Sequence, residues 1–575
     1  MNYTSRNDDV QGHPDWNQSP QQLNSDATTR ADLNGIVNKR EQRGDGPSSP
    51  GMLSPDQIDA EPQDGLEPPA GQKRAANVGV RSVAVAVAYS ETATACPGNN
   101  TPHAADQPAG LFSRARAVAA KYGQFIGPGF LISVAYIDPG NYATDVQAGA
   151  STRYRHLFII FLSNIFAIFL QSLCVKLGTV TGLDLAANCR KHLPKWASIV
   201  LYILSESAIV ATDIAEVIGS AIALNLLFHI PLVAGCAITL VDVLLLLIFY
   251  RPDGNMGRLR LFEYFVMALV FGVVVCFCIQ LSYIHNTTVG RVFKGYLPSS
   301  AIVDGDGVYL SCGILGATVM PHSIFLGSGV VQPRLREFDE ANGLHEPRQD
   351  EAEAGDKYQP SISAIRSCLT YSTIEVASSL LTFALFVNSA ILIVAGSALY
   401  PSTEATHADL FGIYHLMSKS ISKAAATIFA LALLLSGTSA GIVCTMAGQM
   451  VSEGFLNWTI KPWLRRLVTR GISIIPAISV AAAVGKEGLN EMLVASQVVL
   501  SVILPFVTAP LVWFTCRSKY MTVHTDPDGR RSSRAGDNAV NMRNGWIVTV
   551  FAVLIWLVLV VMNVVLLVLV GMGKS

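Results

Sequence analysis

The sequence predicts an all-α multi-pass membrane protein of about eleven helices, and three features lead there. The first is charge: 14% of the 575 residues are Asp, Glu, Lys or Arg and 51% are hydrophobic, whereas soluble domains carry about 25% charged residues. The mean hydropathy is accordingly +0.40. The second is a recurrence, from residue 119 onward, of apolar runs of roughly 20 residues, each sufficient to cross ~30 Å of hydrocarbon. They fall near 123–149, 156–178, 197–226, 230–250, 259–284, 308–331, 368–396, 424–453, 468–485, 493–516 and 545–571. Backbone polar groups in lipid must be paired within the segment, so these runs are helices. The third is loop charge. With the N-terminus in the cytosol, alternate loops on that side hold 21 Lys and Arg between Arg190 and Arg543, against 7 on the other side, the bias that the positive-inside rule describes. An odd number of spans then leaves Ser575 outside.

The segments between and before the runs are polar. Residues 1–118 are rich in Gln, Asn, Asp, Ser, Pro and Gly and too poor in large apolar side chains to build a core, so they read as a disordered cytosolic tail. Met1 to Pro20 contains no apolar signal-peptide core, and Val83 to Tyr89 is too short to span. The tail offers Lys39 and Lys73 to trafficking or ubiquitin machinery. Residues 119–571 form the transmembrane domain, with cytosolic loops at 332–366 and 517–544. Asn286–Thr287–Thr288 is a glycosylation sequon on the outer side. Asp350 to Asp356 reads as solvated acidic surface. A net charge of −1 gives no basic footprint for nucleic acid. The ten cysteines lack metal or redox spacing and read as small apolar core residues.

Two spans carry helix-breaking polar sequence in mid-membrane: Ala135–Tyr136–Ile137–Asp138–Pro139–Gly140–Asn141 in the first and Ala317–Thr318–Val319–Met320–Pro321–His322–Ser323 in the sixth. Each proline removes a backbone donor and drives the residue before it out of helical geometry. Asp138 at the bilayer centre costs about 2.5–3.5 kcal/mol on insertion scales, so it needs a partner or a task. Interrupted segments at matching places in two halves point to an inverted repeat with a binding site between them. Asp138 supplies a hard anionic oxygen, Asn141 an amide oxygen, Ala135 and Ala317 freed carbonyls, and Met320 a thioether sulfur. Alkaline-earth ions gain nothing from sulfur, whereas borderline first-row ions accept mixed ligation, so the set suits Mn²⁺, Fe²⁺ or Co²⁺ over Ca²⁺ or Mg²⁺. The absence of an HExxH motif and the few membrane histidines argue against an intramembrane enzyme.

Those same residues resemble the signature motifs of the Nramp metal-transporter family. The likeness extends to Thr212–Gly219, Phe386–Ala390 and Ala495–Ser501, and Leu326–Pro333 and Ser436–Gly454 look like its fungal branch, which includes the yeast manganese transporters. The resemblance implies a LeuT-type fold, two inverted five-helix repeats plus an eleventh helix, and proton-coupled transport of a divalent metal toward the cytosol. It implies Asp138, Asn141 and Met320 as side-chain ligands with the carbonyls of Ala135 and Ala317, and Gln497 joining in some states of the cycle. It implies a proton path through His322, Asp213 and Glu216, with Arg470 as a cytosolic-side partner. There would be no resident cofactor; Mn²⁺ or Fe²⁺ and H⁺ would be cargo. The membrane would be the plasma membrane or an endosomal or vacuolar one. One departure is visible: many members carry a second histidine after the sixth-span motif, where this chain has Leu326–Gly327–Ser328. The alternative is a sodium- or proton-coupled amino-acid transporter of the same fold, against which Asp138 would repel the substrate carboxylate.

Overall fold

A computed structural model describes residues 127–248, 256–284, 287–302, 306–344, 358–401, 409–456, 462–525 and 538–572. The predicted tail, the sequon at Asn286, and Asp350 to Asp356 lie outside the described residues. The chain divides into two units, Met1–His103 and Ala104–Ser575, and the description below is of the second.

Every predicted span contains helix. The first is split into α1 (Pro128–Val134) and α2 (Pro139–Thr152). There follow α3 (Leu157–Thr181), a short α4 (Leu185–His192), α5 (Lys195–Phe228), α6 (Leu232–Ile248), α7 (Met256–Ser282) and the short α8 (Val289–Lys294). The sixth span is split into α9 (Asp306–Thr318) and α10 (Pro321–Gly329), continued by α11 (Gln332–Ala341). The seventh span is α12 (Ile362–Ser379), a π-helical turn at Leu380–Ala384 and α13 (Leu385–Ala398). After α14 (Leu410–Ser420) come α15 (Lys423–Leu456), α16 (Pro462–Ala483), α17 (Lys486–Cys516), the single turn α18 (Ser518–Met521) and α19 (Trp546–Gly571). With α9 to α11 taken as one interrupted helix and α12 to α13 as another, eight of the described helices are long and apolar enough to cross a membrane.

The loops hold more structure than expected. The segment 332–366 begins with α11 and already contains the start of the seventh span at Ile362. Asp339 gathers it: its carboxylate accepts from the Tyr358 hydroxyl (2.6 Å), the Ser361 amide (2.9 Å) and the Ser361 hydroxyl (2.5 Å). The segment 517–544 carries an antiparallel hairpin, β1 (Thr522–Thr525) with β2 (Asn538–Asn541), pairing Thr522 with Asn541. It is the one departure from all-α among the described residues. The ninth span begins earlier than expected, because Pro462 sits in its first turn, where a missing N–H costs nothing.

Burial ranks the helices. The most apolar stretch of the sixth span is wholly enclosed, whereas α19 has 28% of its own buried and presents Ile547, Leu554 and Val561 outward, as a lipid-facing helix does. The long α5 and α15 run through the centre, and Gly437 lets them meet: a Cβ there would fall against the Ser220 hydroxyl. Small residues at such crossings replace the hydrophobic drive that lipid removes. Of nine cysteines among the described residues, all free, seven are buried, as their apolar setting implies.

Candidate metal centre

The first break has the geometry that its proline dictates. Asp138 is extended (φ −118°, ψ 164°) and caps α2, accepting from the backbone N–H of Gly140 (3.1 Å) and of Asn141 (3.2 Å) and from the Asn141 side-chain amide. Met320 is likewise extended (φ −79°, ψ 128°) and occupies the cap position of α10. Pro139 stands four residues after Ala135 and Pro321 four after Ala317, so each of those buried carbonyls loses its helical donor.

The two breaks are bound to each other. The Tyr136 hydroxyl lies 3.0 Å from the Ser323 hydroxyl, and Gln171 on α3 donates to both oxygens and to the Ser323 carbonyl at 2.9–3.1 Å. Asn388 on α13 donates to the Tyr136 carbonyl (3.1 Å), and Ser436 on α15 donates to the Ile137 carbonyl (2.6 Å). Unwound backbone at membrane depth is thereby satisfied from three neighbouring helices, the condition on which such breaks survive. Asn388 follows one turn after the π-helical turn, a defect that recurs at functional sites.

The α17 helix closes the site. A Cβ on Gly140 would collide with the Gln497 side-chain amide and approach the Asp138 carboxylate to 2.9 Å; a Cβ on Gly316 would collide with the Ser501 hydroxyl. Gln497 and Ser501, one helical turn apart, thus each touch one of the broken spans. Asp138, Asn141, Ala135, Ala317, Met320 and Gln497 are all buried. The Asn141 Oδ1 and Gln497 Oε1 atoms have no hydrogen-bond partner. A buried acceptor without a donor is costly unless something positive arrives. Met320 shares an apolar cluster with Leu500 and Leu504 of α17. Replacing Gly140 with alanine is expected to displace Gln497 and to weaken Mn²⁺ binding several-fold at unchanged helix content, measurable by calorimetric titration beside circular dichroism.

A second polar cluster lies along α5. His322 is buried with its Nδ1 3.4 Å from the Thr212 hydroxyl. Asp213 follows Thr212, and its Oδ2 accepts from the Ser473 hydroxyl of α16 at 2.9 Å. Glu216 lies one turn further. Arg470 is on α16, three residues before Ser473, and its side chain lies outside the described residues. Toward the N-terminus of α1 the Glu375 carboxylate accepts from the Gly127 and Gly129 amides (2.7 and 2.8 Å). There Arg334 pairs with Glu263 at 2.7 Å, both nearly inaccessible.

The sequence profile of the Nramp, or natural resistance-associated macrophage protein-like, family matches residues 129–531, a stretch holding both breaks and the whole site. The chain belongs to the Nramp family. It is 53% identical over 455 residues to the manganese transporter pdt1 of Schizosaccharomyces pombe, covering 79% of this chain and 87% of that one. It is 51% identical over 425 residues to the iron transporter SMF3 of Saccharomyces cerevisiae, covering 74% and 88%. Such identity to yeast proteins places it on the fungal branch of Nramp. Among solved structures it is similar to the Eremococcus coleocola manganese transporter, crystallised with an aromatic bis-isothiourea compound. There the TM-score is 0.65 and the identity 32%, over 80% of this chain and 88% of that one.

Within this Nramp protein, sequence reasoning passed over Tyr136, Gln171 and Ser323 as site residues, as it did Glu263, Arg334 and Glu375. A signal existed for three of them. Gln171, Glu263 and Glu375 are polar or acidic residues inside apolar runs, where such residues are rare and usually have a function.

Proposed function

We propose that this protein moves Mn²⁺ or Fe²⁺ toward the cytosol together with protons, binding the ion between the two broken helices. The observation that carries this reading is the donor set itself. One carboxylate, two amide oxygens without hydrogen-bond partners, two carbonyls deprived of helical donors and one thioether lie on, or packed against, two breaks that neighbouring helices tie together. Relatives named as manganese and iron transporters support the metal as cargo. The amino-acid alternative gains nothing from them, and Asp138 would repel a substrate carboxylate. The protein is a multi-pass integral membrane protein; the charge bias supports a cytosolic N-terminus, and a plasma, endosomal or vacuolar membrane fits a fungal metal importer.

The ion would shed most of its water onto Asp138, Asn141 and Met320, with Ala135 and Ala317 supplying carbonyls and Gln497 closing from α17. Its positive field favours the ionised carboxylate and expels a proton. His322, Asp213 and Glu216 form the file that would carry that proton toward the side where Arg470 lies. Rocking of one helix bundle against the other then exposes the ion to the cytosol.

Uptake of ⁵⁴Mn²⁺ into proteoliposomes with and without an inward proton gradient tests this. Saturable uptake that the gradient accelerates and excess Ca²⁺ does not block is the expected outcome; indifference to the gradient would remove the proton roles. The thioether is tested separately. Met320→Ala should leave most Mn²⁺ transport in place and let Ca²⁺ compete roughly tenfold more effectively, since the ligand that Ca²⁺ cannot use has gone. Unchanged Ca²⁺ discrimination would refute the role of sulfur.

A further inference from the structure

Beside the central site the described residues hold one other group of ligating side chains. Asp213 and Glu216 on α5 and Cys444 on α15 each place a ligand atom within 4.8 Å of the other two, and all three are buried. The Ser473 hydroxyl, fully buried on α16, adds an oxygen 2.9 Å from Asp213 Oδ2. Three helices therefore converge on one point with two carboxylates, a thiol and a hydroxyl. The Cys444 thiol is fixed there, donating to the Ile209 carbonyl at 3.6 Å, one turn before Asp213.

We propose that Asp213, Glu216 and Cys444 form a second divalent-cation site, selective for thiophilic ions such as Cd²⁺ and Zn²⁺, which blocks transport when filled. The donor set differs from the central one in the feature that matters. A thioether is a weak neutral donor, whereas a thiolate is an anionic soft ligand that favours Zn²⁺ and its heavier congener over Mn²⁺. Two carboxylate oxygens, one thiolate and the Ser473 hydroxyl or a water complete the four-coordinate sphere that Zn²⁺ prefers, at ~2.0–2.3 Å from each donor. The ligand atoms, now within 4.8 Å of one another, would draw together to that spacing on binding. On binding, the Cys444 proton leaves to water and the sulfur bonds the metal, with no redox change. The site itself is independent of any proton routing. Its block of transport rests on the proposed role of Asp213 and Glu216, because an ion held there occupies both carboxylates.

The test uses purified full-length protein bearing Asp138→Ala, so that the central site is disabled, titrated with Cd²⁺ and followed by the ultraviolet thiolate-to-cadmium charge-transfer band. One equivalent of Cd²⁺ should raise the band. Adding Cys444→Ser should abolish it and weaken Cd²⁺ binding by more than the ~10-fold that losing an outer-shell partner costs. A band that survives Cys444→Ser, or no band at all in the parent, overturns the site. In proteoliposomes, Cys444→Ser alone should retain Mn²⁺ uptake, which also certifies its folding, and lose the part of Cd²⁺ inhibition that excess Mn²⁺ does not relieve. Cys444→Ala serves if the serine variant fails to fold. Loss of the band with inhibition unchanged would overturn the block while leaving the binding site, which separates this inference from the reading of the proton path.

Discussion

Asp138→Asn is expected to fold like the parent and to lose metal uptake by roughly a hundredfold or more, the larger of the two effects that this structure predicts. The substitution separates the two tasks of the side chain. As the cap of α2, Asp138 accepts from two backbone amides, and asparagine caps almost as well, so the break keeps its shape. What disappears is the one formal negative charge in the donor set, without which the protein must strip water from a dication using neutral ligands alone. Asp138→Ala should lose uptake equally and in addition weaken the cap, by about 1 kcal/mol. The measurement pairs ⁵⁴Mn²⁺ uptake with thermal unfolding in detergent. If the asparagine variant transports Mn²⁺ at near the parental rate, the carboxylate does not hold the cargo and the assignment of the centre fails.

The breaks were legible because proline acts locally. Pro139 and Pro321 fix the conformation of Asp138 and Met320 and strip the donors from Ala135 and Ala317 whatever surrounds them, and an apolar run makes such an interruption conspicuous. The helices were legible for a similar reason, since length and hydropathy against bilayer thickness need no tertiary information. What pairs across the bundle was not. Tyr136 and Ser323 are 187 residues apart and meet through Gln171, and Cys444 lies more than two hundred residues from Asp213; no periodicity encodes either meeting. The hairpin of β1 and β2 and the amphipathic α11 and α14 fell in segments read as loops, because polar composition between spans hides short elements that the bundle props up. Glu263, Arg334 and Glu375 belong to both groups: the acids stood out in apolar runs, but only the fold shows that all three converge on the start of α1.

That convergence predicts the second large effect. Glu375 holds the first turn of α1 through the Gly127 and Gly129 amides, and Arg334, from α11, binds Glu263 of α7 beside it. Gly127 has φ +152°, a conformation that other residues avoid, and a Cβ there would run into the Glu263 carboxylate. The start of α1 is thus held by Glu375 of α12 and flanked by Glu263 of α7, itself paired with Arg334 of α11; under the proposed cytosolic N-terminus this clamp would close the inner side of the site. Removing Arg334 alone, as Arg334→Met, strands the Glu263 charge at 4% side-chain exposure. Breaking a buried pair by deleting one partner costs about 3–5 kcal/mol, roughly a hundredfold or more in an equilibrium. Arg260, exposed at 37% and bonded to Glu337, also acts on Glu263 but is the smaller of its two cationic partners, so it offsets only part of that charge. The closed state bears that cost, so Arg334→Met should favour the inward-open state, read as faster thiol labelling of a cysteine placed at Ser133, which is fully buried when α1 is clamped. The double variant Arg334→Met/Glu263→Gln removes both charges and should recover most of the protection, because the uncompensated carboxylate, rather than the lost attraction, carries the cost. Equal labelling of the single and double variants would show that Arg334 holds α1 by some means other than its charge.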